Sequence, residues 1–247
     1  MTTYARSVLR KHIGQENYGR VNEDEHGEEC RMDIDGDRCS TKVGCEMNIF
    51  VLDENPVDAA KAMDCVRLPK MCVESAQMMA SALRRHGATD DQMPLTKKGT
   101  PYKGGYHHHP CTVWVGDSRA NFEWLAAHAV ALSWEYWFRF SKKHACAGPI
   151  KNMVFLGKLI PEGELTPFAL AMPDEYRPTE PSTSLLDNDT FAKQGVGFNS
   201  DNEMIITHAD GEEAVKAYRA YYHSKVDSPG GVHYRHTSPP DWWEVTT

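Results

Sequence analysis

HHHPCTVWVGDSRANFEWLAAHAVALSWEYWFRFSKK, residues 107–143, is the stretch whose reading decides the fold. Three histidines and a proline open it, and the CTVWV after them reads as an extended apolar segment. A helix of roughly 25 residues is expected next. Asp117 or Ser118 is its expected N-cap, because either side chain can accept an amide hydrogen from the first turn. Phe122, Leu125, Ala129, Leu132, Tyr136 and Phe140 recur at steps of three or four and form one apolar stripe. Trp124, Val130, Trp134, Trp137 and Phe138 widen it until much of the circumference is apolar, which makes the helix central. What stays polar is a narrow line of Asn121, His128, Glu135 and Lys142, with Arg139 beside it.

Upstream of this stretch, residues 88–106 read as a long loop, preceded by a helix that starts at Leu68-Pro69 and closes at Gly87. Leu68, Cys72, Ala76, Met79 and Leu83 form its apolar stripe; Lys70, Glu74, Gln77, Ser81 and Arg84 lie opposite. Earlier still, NIFVL at residues 48–52 predicts a short buried strand, and DENP a turn into a helix with Pro56 near its first position. Downstream, residues 165–178 read as ordered but irregular, and residues 182–203 as a polar exposed loop. Asp210 and Glu213 form a capping-box pattern ahead of a helix carrying Val215, Tyr218 and Tyr222 on one side. The terminal HTSPPDWWEV is expected to be extended and packed back onto the body. The fold class is mainly α: a compact helical domain over residues 47–247, built around one long central helix, with a short N-terminal strand and few other strands.

Residues 1–46 differ from the rest: they are acidic, aperiodic after Leu9, and expected to be a disordered extension, so that Met47 is a candidate start of the functional chain. His26, Cys30, Cys39 and Cys45 there leave a zinc-binding protein as an alternative reading, although their gaps match no tight CxxC knuckle. Asp33, Asp35 and Asp37 resemble the start of a calcium loop but lack its glutamate. With 247 residues, 40% of them hydrophobic and 25% charged, the composition is that of an ordinary globular protein. No apolar run approaches the roughly 20 residues of a membrane helix. No secretory signal opens the chain, so a cytoplasmic location and reduced thiols for the seven cysteines are expected. A net charge of −8 argues against a wholly basic surface, yet residues 61–85 and 97–151 carry a local basic excess. Walker, GxGxxG, GxSxG and HExxH motifs are absent.

From Met47 to Trp243 the chain resembles a family of small, largely uncharacterised proteins of tailed bacteriophages and some bacteria. The matching pieces are MNIFVLDENPVDAA, KMCVESAQMM, HPCTVW with SRANFEWL, AMPDEYR, AYRAYYHSK and PPDWW. That family carries an Asp-Lys-His triplet where this chain has Cys65-Val66-Arg67, and a guanidinium cannot shuttle protons as an imidazole does. A second resemblance is to phage pyrimidine-dimer DNA glycosylases, small all-helical proteins with an R-E-L-P-R segment and a later H-V-T-F-F leading into a long helix. Arg67-Leu68-Pro69-Lys70 and His109-Pro110-Cys111-Thr112-Val113-Trp114 occupy the corresponding order. Those enzymes attack the sugar carbon with their N-terminal amine, assisted by a glutamate just before the Leu-Pro. Here Arg67 stands at that glutamate's place, and 46 residues precede Met47.

Together these readings give candidate catalytic residues Glu74, His109 and Asn121, and candidate nucleic-acid contacts Arg67, Lys70, Arg119 and Arg139. Each has a plainer reading beside it. His107, His108 and His109 can be a surface or capping cluster, since adjacent side chains on a strand face opposite ways; no metal and no cofactor is expected. Arg119 can pair with Glu123 and Lys70 with Glu74 along helix faces. Trp114, Trp124, Trp134 and Trp137 suit a core better than a base-stacking platform, whereas Trp242 and Trp243 could offer one. The expected function is in DNA metabolism: acting on or binding DNA bases or nucleotides, in modification or repair, on a glycosylase-like scaffold. The alternative is a non-catalytic nucleic-acid- or protein-binding accessory. DNA or a nucleotide is the expected partner, and no membrane.

Overall fold

The apolar stripe of residues 119–140 makes the helix it predicts. Numbering helices in chain order, α1 is Pro56–Ala62, α2 Leu68–Arg85, α3 Pro110–Asp117, α4 Arg119–Phe140, α5 Ala147–Val154 and α6 Gly211–His223. This computed structural model describes residues 47–179, 196–198 and 204–243. The four-residue zinc candidate, the three aspartates and all of the 182–203 loop except residues 196–198 lie outside the described residues. Ser118, not Asp117, caps α4: its hydroxyl accepts the Asn121 N–H at 3.1 Å. At the other end Ser141 adopts a left-handed φ of 53° and its N–H reaches the Trp137 carbonyl. Phe122, Leu125, Ala129 and Leu132 are fully or almost fully buried.

Two apolar segments fold otherwise than expected. CTVWV is helical, not extended: it forms most of α3, with His109 as N-cap and Pro110 at the first position. Its β-branched residues favour a strand only weakly, and burial of Cys111, Trp114 and Val115 overrides that preference. Residues 48–52 are buried but form no strand. Phe50 takes a φ of 41° and breaks the extension. Its N–H donates to the Asn48 side chain at 2.7 Å. The apolar run signalled burial, which a strand and a bent segment satisfy equally.

α1 and α2 pack against α4, and α3 bridges from the far end of α2 to the start of α4. Asn55 and Pro56 open α1, and Gly87, at φ 84°, ends the turn beyond α2. The few strands are minimal: β1 (Phe168–Ala169) pairs antiparallel with β4 (His208–Ala209), and β2 (Val196–Phe198) with β3 (Met204–Ile206). Asp210 precedes α6, but its side chain makes no capping hydrogen bond. Tyr218, Tyr221 and Tyr222 of α6 surround the Phe50 ring at 5.3–6.2 Å. Trp243 stacks on His223 at 4.6 Å and Arg219 covers Trp242 at 4.8 Å, so the terminal segment does fold back and both indoles have partners. Of the four tryptophans in the central stretch, Trp114 and Trp124 are core, sharing Phe168. Trp134 is only half-buried and Trp137 is exposed. Among the described residues no helix is long and apolar enough to cross a membrane.

Two outcomes are expected. Leu132→Ala should cost about 2–5 kcal/mol in denaturant unfolding, since a leucine with no exposed surface leaves a cavity; a surface-like loss would mean α4 is peripheral. His128 is enclosed, with Nδ1 on the Pro56 carbonyl at 2.9 Å and Nε2 without a partner. Burial lowers its pKa from 6.5 to about 4, the Pro56 bond opposing this in part. The unfolded chain therefore binds the proton first as pH falls. His128 contributes stability that is complete above 6.5 and is lost progressively toward 4. The loss is about 3 kcal/mol, at roughly 1.36 kcal/mol per unit. Urea titrations across that window should show the fall, and His128→Gln should make it shallower.

Candidate functional site

Glu74 lies on the face of α2 expected to be polar and exposed, yet it is 2% exposed. What covers it comes from elsewhere in the sequence. Its Oε2 accepts the backbone N–H of Asn48 at 3.0 Å, and its Oε1 lies 3.1 Å from the Lys70 ammonium one turn earlier. Asn48 is itself fixed, with its side-chain amide donating to the Ala171 carbonyl and its Oδ1 accepting from Phe50. Burial raises the Glu74 pKa; Lys70 and the Asn48 N–H pull it back in part. The Cys111 thiol of α3 is pushed up to about 12, first by its own burial, with the Glu74 charge adding to it. The Tyr218 hydroxyl, which donates to the Ala169 carbonyl, is likewise raised, by burial and by Cys111. A buried carboxyl thus sits between a half-exposed lysine and a main-chain nitrogen, an arrangement suited to moving a proton.

His109 is two residues from Cys111, so the first turn of α3 belongs to the same neighbourhood. Its Nδ1 accepts the Cys111 N–H at 3.2 Å, which requires that nitrogen to be unprotonated. His107 and His108 are exposed in the turn before it. Lys70 and Glu74 are thus the candidates in direct contact, while His109 caps the helix that carries Cys111.

The other four candidates hold the protein together. Asn121 is fully buried and its amide is saturated: it donates to the Trp114 carbonyl and the Thr166 hydroxyl, both at 2.8 Å, and accepts the Thr166 N–H at 3.0 Å. Arg139 is 1% exposed and pairs with Glu135, while donating to the Lys61 and Met63 carbonyls. Arg119 is bound to the Lys158 and Ile160 carbonyls and to Glu162, the last in place of the expected Glu123. Arg67 donates to Asp64 at 2.8 Å and to the Gly231 and Lys225 carbonyls, over the Tyr222 ring. Guanidinium groups so enclosed have few donors left for phosphate. Asp64, which accepts from the Tyr222 hydroxyl, was not singled out in the sequence, and Tyr222 was named there only for its place on a helix face. Asp64 at three residues before Arg67 was a legible signal; Tyr222, reached only through the fold, was not.

Residues 47–147 match the family model described as pyrimidine dimer DNA glycosylase, less than half of the chain. No curated protein and no solved structure matches it. The match supports the second of the two resemblances drawn from the sequence. It begins where Asn48 meets Glu74 and takes in α1 to α4, with all seven candidate residues.

Asn121→Ala should unfold more easily by about 1–3 kcal/mol for each polar group it strands, the Trp114 carbonyl and the Thr166 N–H among them. A wild-type denaturation midpoint for that variant, with an altered interaction with DNA, would instead place Asn121 in a working site.

Proposed function

We propose that the chain is a glycosylase-like protein of DNA repair or base modification whose working site is the neighbourhood of Glu74. The observation that carries the reading is the 3.0 Å contact between the Asn48 nitrogen and a buried glutamate inside the matched region. In the enzymes it resembles, a terminal amine attacks the sugar carbon with a glutamate's help. In this fold the nitrogen of residue 48 and a glutamate meet, but the glutamate is Glu74 rather than a residue at position 67. Were that nitrogen a free amine, its lone pair could attack the sugar C1′ as the glycosidic bond breaks and its electron pair leaves with the base. Loss of one amine proton to a carboxylate such as Glu74 would leave an aminal. As the C1′–O4′ bond then breaks, its electron pair and a proton pass to O4′, the nitrogen lone pair forms the C1′=N bond, and borohydride reduces that imine to a stable adduct.

In the full chain that nitrogen belongs to a peptide bond and has no lone pair to offer. Full-length protein is therefore expected to act as a binder, which is the specific ground for the second reading, a non-catalytic accessory. Residues 47–247 are proposed to fold as one domain without residues 1–46, the more so because Met47 is already buried, with the Thr112 hydroxyl on its sulfur.

A chain begun at Met47 should melt cooperatively within a few degrees of full length; loss of that transition would make the extension structural. Borohydride trapping on dimer-containing and abasic duplexes should give no adduct with full-length protein and an adduct with a chain begun at Asn48. Glu74→Gln in the shortened chain should cut trapping by roughly 10²-fold or more. An adduct from full-length protein would shift the chemistry to a lysine, with Lys70 the first to test. Binding without trapping by either chain supports the accessory, and absence of any DNA binding at low salt would end the DNA reading.

A further inference from the structure

A reaction through the Asn48 nitrogen needs a place for the sugar, and the peptide bond marks it. The upstream atom bonded to that nitrogen is the Met47 carbonyl carbon. In the covalent intermediate C1′ holds that bond instead, so the sugar ring takes the volume that Met47 now fills. In the full chain that volume is closed. Met47 and Asn48 are each 1% exposed and Glu74 is 2% exposed. The bed of Met47 is not wholly apolar, however. Thr112 of α3, itself buried, donates its hydroxyl to the Met47 sulfur at 3.3 Å. A thioether is a weak acceptor for an enclosed hydroxyl. The Ser133 hydroxyl, by contrast, turns to the Ala129 carbonyl one turn back in its own helix, a common arrangement for helical serine and threonine. Thr112 instead reaches across to the residue joined to the Asn48 nitrogen.

We propose that Met47 is a built-in block on the Glu74 site, and that the Thr112 hydroxyl beneath it is a substrate contact. Once the chain begins at Asn48, that hydroxyl donates to an oxygen of the deoxyribose. The inference rests on the reading above and adds to it the regulation of the same site. A start at Asn48 meets two conditions together: the nitrogen gains its lone pair, and the bed empties. A start at Met47 meets neither, because the free amine lies one residue away from Glu74 and the Met47 side chain still fills the bed. Exchange of the sulfur for a sugar oxygen keeps the Thr112 hydroxyl satisfied and gives it the stronger acceptor.

The first arm of the test uses the full chain and tetrahydrofuran, the unsubstituted ring of deoxyribose, with binding read by saturation-transfer NMR. Met47→Gly clears the side chain from the bed. Tetrahydrofuran should bind this variant and not the wild type, and adding Thr112→Val should abolish the signal. Equal signals from wild type and Met47→Gly, no signal from either, or a signal that survives Thr112→Val would overturn the proposal. Met47→Ala repeats the measurement with a smaller loss of packing. Loss of cooperative melting in both variants would make Met47 a structural residue and end the block. The second arm is borohydride trapping on an abasic duplex. A chain begun at Met47 and retaining it should give no adduct, although its amine is free, whereas a chain begun at Asn48 should. In the Asn48 chain, Thr112→Val should raise the duplex concentration at half-maximal trapping roughly 2- to 10-fold, as for one lost hydrogen bond. It should lower the maximal rate less than Glu74→Gln does. An adduct at the amine of the Met47 chain, or trapping indifferent to Thr112→Val, would overturn this inference and leave the glycosylase-like reading standing. No adduct from any chain would end both.

Discussion

The fold depends on a line of polar side chains inside α4 that take up main-chain carbonyls where the surrounding chain turns. Asn121 holds the Trp114 carbonyl, Trp124 that of Glu54, His128 that of Pro56, and Arg139 those of Lys61 and Met63. A carbonyl left without a donor in so apolar an interior costs free energy comparable to several buried methylenes. The ends of α1 and α3 are therefore fixed along α4 by specific bonds, while the apolar stripe supplies non-directional burial. The narrow polar line on a largely apolar helix is an internal rail as far as His128; Glu135 is partly exposed, and Lys142, beyond the helix end, is at the surface.

α2 gathers the remaining constraints. The turn leading into it binds α6 and the segment beyond through Asp64, Arg67 and Tyr222. Its middle receives the N-terminal segment through Glu74. At its far end Arg85 bonds the Val113 carbonyl and Asp117 of α3. Segments distant in sequence thus meet along one helix, and the candidate site at Glu74 lies where they meet.

The central helix was legible because so many apolar residues at helical spacing leave few other arrangements. α2 was legible for the same reason, α1 from the DENP turn and Pro56, and α6 from the pattern opened at Asp210, which together gave the mainly α class. The strand expected at residues 48–52 and the extended reading of CTVWV failed because short apolar runs report burial and not conformation. Glu74 and Ser81 were placed outward because helical period cannot foresee a cover from elsewhere. Ser81 lies under the 102–105 loop, bonded to both polar groups of Gly105, and Gly104 crosses it with a φ of +83° and no room for a side chain. Arginines were the hardest case: sequence shows the charge of Arg67, Arg119 and Arg139 but not which carbonyls the fold will turn toward them.

Asn48 meets Glu74 through its main chain, and a main-chain nitrogen is present whatever side chain the position carries. The residue type at 48 answers instead to the Ala171 carbonyl and the Phe50 N–H, which its amide side chain satisfies. Substitutions tolerated there during divergence would record packing and say nothing of chemistry. A search for shared reactive side chains among distant homologues would pass over the contact on which the proposed chemistry turns, because it is written in geometry and not in the alphabet of residues.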